Sequence, residues 1–168
     1  MSRNQPTPGL TAEFSQMLAG FPAKIERLTA GLTDEALAAA PDPKAWSALR
    51  VLAHLRACSD LWSYSIYAML AETSPELPLP DERRWAKVAG YAGTGFRRSL
   101  QAFTMDRERL VAVLAALSEA DWSRDAHIRG RRHTVFSQCR RMALHEADHL
   151  AQVESIVAGA AADRDASK

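Results

Sequence analysis

Residues 134–157 read TVFSQCRRMALHEADHLAQVESIV, and the spacing inside this stretch decides the fold class. Val135, Met142, Val153 and Ile156 recur at helical intervals, which predicts a long helix with one apolar face. His145 and His149 stand four residues apart within it. Such residues differ by about 40° around an α-helix, so both imidazoles fall on the inward face. Neutral imidazoles buried side by side need partners for their ring nitrogens. Two readings are open at this point: a metal ion that takes both lone pairs, or hydrogen bonds to other side chains at a helix interface.

His145-Glu-Ala-Asp-His149 is also a literal H-E-x-x-H, the zinc-protease pattern. Its context speaks against that chemistry. The extended form places Gly three residues after the second His and His six after it, where this chain has Gln152 and Ser155. No third ligand follows, and no strand-rich half is present to hold a peptide.

Upstream, three more segments carry the same period. The first spans about Thr11 to Ala30, with Phe14, Leu18, Phe21, Ile25 and Leu28 in step and Pro22 expected to kink or split it. The second spans about Ser47 to Glu72, with Ser47 as N-cap and Leu52, Leu55, Trp62, Ile66 and Met69 as its stripe. The third spans about Phe96 to Leu117, and Arg107 lies in line with Leu100, Phe103, Leu110 and Leu114. No stretch alternates long enough to predict a strand. The expected fold is all-α: a four-helix bundle with short extra helical turns in the connections, near Thr33 and Ser118. Residues 73–95 hold three prolines and three glycines and form a long connection, either a crossover or a functional flap. One domain over residues 10–158 is expected, with flexible termini at 1–9 and 159–168.

Composition fits this. The 168 residues are 47% hydrophobic and 24% charged, enough for one packed core. Twenty-one Lys and Arg balance twenty Asp and Glu, so no whole-molecule field favours nucleic acid, and no basic helix face or helix-turn-helix pattern is present. No window is apolar enough to span a membrane. Cys58 and Cys139 read as free thiols of a reducing compartment, and a cytoplasmic location is expected.

A third ligand for the His145–His149 pair has to come from upstream. His54 sits at the edge of the second segment's stripe, one turn before Cys58, and across a bundle these helices can face each other. Three histidines would leave positions open for water or substrate, the pattern of catalytic zinc. Cys58 reads as a thiol acidified by a nearby ion or as a small buried hydrophobe. Glu146 and Asp148 flank the ligand face and read as groups that orient an imidazole or move a proton, or as solvated charges or members of surface ion pairs. Trp62, Tyr64 and Tyr67 read as core or pocket residues. The run Arg129-Gly-Arg-Arg-His133 reads as a solvated loop that could receive a carboxylate.

Trp46-Ser47 ahead of Leu52-Ala53-His54-Leu55, followed far downstream by His145-Glu-Ala-Asp-His149-Leu-Ala-Gln152, resembles the DinB-like metal-binding four-helix bundle superfamily. The resemblance covers about residues 10–158. It implies His54, His145 and His149 as metal ligands, with Zn or Ni as the ion and Gln152 near the site as a further candidate. It also implies a thiol S-transferase or hydrolase acting on a small molecule, with a low-molecular-weight thiol as a cosubstrate. The alternative is a non-catalytic metal- or ligand-binding bundle that forms a homodimer and serves as a stress-related interaction module; the sequence does not choose between monomer and dimer.

Overall fold

A computed structural model describes residues 5–166, with side chains described through residue 159. Four long helices form the bundle: α1 (Pro8–Thr29), α3 (Ala48–Ala71), α5 (Phe96–Ala115) and α6 (Val135–Ala166). Two short helices lie in the connections, α2 (Asp34–Ala38) and α4 (Glu82–Val88). Each start has a chemical cause. Thr7, Thr33, Ser47 and Asp81 accept from the backbone N–H three residues on, which satisfies a donor the helix itself cannot. Thr134 and Ser137 cap each other at the start of α6.

α6 packs between α1 and α3, and α5 packs between the same two on the other side. α1 and α3, consecutive long helices, therefore lie on a diagonal. The stripes anticipated from the sequence meet in one core: Phe14, Leu18 and Ile25 of α1, Leu52, Leu55 and Ile66 of α3, Phe103 and Leu110 of α5, and Val135, Met142 and Val153 of α6. Burying each large apolar side chain contributes about 1.5–3 kcal/mol relative to leaving it in water.

The structure departs from the sequence expectation in four places. α1 runs unbroken through buried Pro22; the flanking Phe21 and Ile25 are themselves buried, so packing holds the turn that lacks one hydrogen bond. α1 begins at Pro8 and α6 continues to Ala166, beyond the helix ends expected near Thr11 and Val157, while residues 1–4 and 167–168 lie outside the described residues. The 73–95 connection is ordered into a strand, a helix and a 3-10 turn. Finally, a small sheet was not anticipated: β1 (Glu76–Leu77) pairs parallel with β2 (Asp125–Ile128), which pairs antiparallel with β3 (Arg131–Thr134). The expected basic loop is thus a hairpin. Its turn residues Arg129 and Gly130 have φ of 50° and 72°, the left-handed values a two-residue turn needs to follow strand twist. Arg124, just before β2, donates to the carbonyls of Met69 and Glu72 and closes the end of α3. No described helix is long and apolar enough to cross a membrane.

Candidate metal centre

α3 and α6 pack side by side, and this brings His54 to His145 and His149. His145 Nε2 lies 3.2 Å from His54 Nε2 and 3.2 Å from His149 Nε2. The three rings meet edge to face, with centroids 4.5–5.1 Å apart. His127 and His133 are elsewhere, on the hairpin strands β2 and β3.

The nitrogen spacing is a test of fit. Two ligand nitrogens each about 2.0–2.1 Å from one ion, at right to tetrahedral angles, stand roughly 2.9–3.4 Å apart, and 3.2 Å falls inside that range. Tautomer chemistry points the same way. His149 Nδ1 donates to Gln152 Oε1 at 2.8 Å, so its neutral ring carries a lone pair on the convergent Nε2. A ring nitrogen is donor or acceptor, never both, so the three convergent atoms cannot form a normal hydrogen-bonded chain. A cation satisfies all three at once, and Gln152 then orients its ligand as an outer partner. His145 Nδ1 is buried without a partner, so that ring lacks the same support.

Burial and the neighbouring imidazoles favour the uncharged form of His54 and His145, the form that binds metal. His54 is held below its ordinary value by burial first and by His149 next. His145 is pushed down to about 3 by burial, then by His149 and His54. The sign follows: the unfolded chain takes up a proton at the ordinary histidine value and the folded chain does not. Metal-free protein should therefore lose stability as pH falls from about 6.5 toward 3. Melting curves between pH 8 and pH 4.5 check this, with His145→Gln showing the shallower slope. Equal slopes would contradict it.

Two tryptophans wall the cluster. The Trp46 ring stacks parallel to His149 at 6.2 Å and meets His54 edge-on at 5.4 Å. Trp62 meets His145 edge-on at 4.9 Å. Trp46 also lines two hollows. One, about 520 Å³, is lined by Lys44, Trp46, His149 and Gln152. The other, about 230 Å³, is lined by Trp46, Arg50, His54, Arg83 and Lys87, and its last two residues come from α4. Small molecules thus have one approach to His149 and another to His54, both beside Trp46.

Other sequence candidates fare differently. Cys58 Sγ lies 3.5 Å from His54 Nε2, and Cys58, His54 and His145 place one ligand atom each within 4.8 Å. The thiol is buried, and burial holds its pKa well above the ordinary value rather than below it. Asp148 is exposed. Glu146 is neither solvated nor turned to the histidines: it is buried in an ion pair with Arg107 of α5. Burial raises its pKa, and Arg107 opposes the rise. The role of Trp46 as a site wall was missed, as was the contribution of α4. A charged Arg107 in an apolar stripe was the legible signal for Glu146.

The family model of the DinB superfamily matches residues 17–153. No curated protein matches the sequence. Among solved structures, the chain is similar to YfiT from Bacillus subtilis, described as a probable metal-dependent hydrolase with an unusual four-helix bundle topology. The TM-score is 0.82 at 19% identity, over 93% of this chain and 90% of that one.

Proposed function

From a chain that belongs to the DinB superfamily, we propose a divalent-metal-dependent enzyme acting on a small molecule, with His54, His145 and His149 as its metal ligands. The reading places this activity in one domain over residues 10–158. The observation that carries it is the convergence of three Nε2 atoms, 3.2 Å from one to the next, from two adjacent helices. Zn or Ni suits three neutral imidazoles. When bound, the ion supplies Lewis-acid chemistry, acidifying a water or thiol and drawing charge from the centre under attack. YfiT's description supports hydrolysis; thiol transfer is the sister reaction, since a thiolate is the softer ligand and the stronger nucleophile.

The chain's own residues supply the rest. Gln152 holds the His149 tautomer by accepting its Nδ1–H. Trp46 and Trp62 pack against the imidazoles and hold their ring planes. The two hollows that Trp46 lines give the substrate its approach.

A second reading is favoured by one contact. Cys58, 3.5 Å from His54 Nε2, would close a four-ligand set, and closed sets are structural. Protein purified without a histidine tag should carry one divalent ion by elemental analysis. Its cobalt form should show no sulfur-to-metal band until a low-molecular-weight thiol is added, and Cys58→Ser should leave that spectrum unchanged. A band present from the start and lost in Cys58→Ser would favour the non-catalytic bundle.

Chelation should lower Tm without unfolding the helices, because the four stripes form their own core. Ion at a hundredfold excess over its Kd stabilises by about 2.7 kcal/mol, or about 5–10 °C in a chain of this size. Far-ultraviolet circular dichroism with and without chelator reads both quantities. A coil spectrum on chelation would contradict the open site.

A further inference from the structure

A third hollow, of about 470 Å³, lies between the β2–β3 hairpin and α6. Its wall carries Arg129, Arg131, His133 and Arg141, with Glu82 as the opposing carboxylate and Trp62 at its inner side. One carboxylate does not neutralise these cations. Arg131 is exposed and its side chain has no partner among the described residues. Arg141 reaches Glu82 only at 3.9 Å and otherwise lies over the Trp62 ring at 4.3 Å. Arg129 is tied by hydrogen bonds to the carbonyls of Leu79 and Pro80, which sets the rim in place. Three guanidinium groups thus face one carboxylate in a concave setting, the arrangement that recognises an oxyanion.

The hollow adjoins the histidines. Arg141 precedes His145 by one turn on α6, and Trp62, which lines the hollow, touches the His145 ring. We infer that this hollow binds an oxyanion, carboxylate or phosphate, one tryptophan away from the histidine cluster. The oxyanion subsite does not depend on the metal reading above.

The test uses inorganic phosphate and malonate as separate probes of the full chain, followed by amide and indole NMR shifts. It is run on metal-loaded protein and on His145→Gln. Saturable shifts are expected at Arg131, His133, Arg141 and the Trp62 indole in both proteins. Arg131→Ala with Arg141→Gln should weaken binding about tenfold or more. Arg131→Ala alone, at an exposed and unpaired position, should weaken it without affecting the fold. The tighter of the two probes identifies phosphate or carboxylate as the favoured group. Arg109→Ala, exposed on α5 and paired with Asp106, should leave binding unchanged. Binding lost in His145→Gln but kept in the arginine variants would place the anion on the metal and overturn the inference. Equal weakening by Arg109→Ala would reduce it to diffuse charge and overturn it too. Arginine-dependent binding in a protein that never takes up metal would uphold the subsite and fail only the metal reading.

Discussion

His54→Ala, His145→Ala and His149→Ala should each lose stoichiometric metal, with affinity falling by about a hundredfold or more, whereas His127→Ala and His133→Ala should keep it. Loss of an outer partner already costs about 10–100-fold in affinity, and loss of a ligand itself should cost at least as much. The expectation rests on placement: the Nε2 atoms of the first three converge, while the other two lie on strands of the hairpin. Gln152→Ala, which removes the acceptor for His149 Nδ1, belongs between these classes, at about tenfold. Isothermal titration with Zn and Ni into chelator-treated protein measures all six variants. Retention of full affinity in His54→Ala would detach α3 from the site and overturn the three-histidine reading.

Arg107→Ala or Glu146→Ala should each destabilise the protein by about 3–5 kcal/mol, lowering Tm by about 10 °C or more. Both side chains are almost wholly buried, at 1% and 2% exposure, and paired with each other. Arg107 also donates to Ser59 Oγ at 3.4 Å and lies 2.8 Å from Met142 Sδ. Removing one partner leaves the other's charge buried and unanswered. The double variant Arg107→Met with Glu146→Leu fills the same space with apolar atoms and should recover most of the loss. Urea denaturation of the three variants reads the cycle. A single-variant loss under about 1 kcal/mol would mean that water reaches the pair.

The two outcomes draw on residues that differed in how readable they were. His145 and His149 were legible because helical spacing is local: four residues set their common face. His54 needed a tertiary assumption, that the second and fourth segments lie side by side. Arg107 was visible as a charge in an apolar row, but its partner lay on another helix, and periodicity carries no information about which. The hairpin escaped because its strands have four residues each and β1 has two, too few for alternation to stand out. Only Ala126 and Ile128, buried between half-exposed neighbours, record it. β1 pairs with β2 across some fifty residues, Glu76 opposite His127, a relation no local pattern encodes. The run rich in arginine looked like solvated loop for the same reason: its order comes from what it packs against.

The diagonal placement of α1 and α3 bears on synthesis at the ribosome. Two consecutive long helices usually fold back as a hairpin and shelter each other as they emerge. Here α1 and α3 share no such seam, since each packs on α5 and α6. Their apolar stripes must wait, exposed to chaperones and to neighbouring nascent chains, until α5 arrives, and two of the three convergent imidazoles arrive only with α6. A pause in translation after α3 is therefore the most hazardous moment for this chain, and ions in the cell cannot rescue it, because the histidine cluster is assembled last.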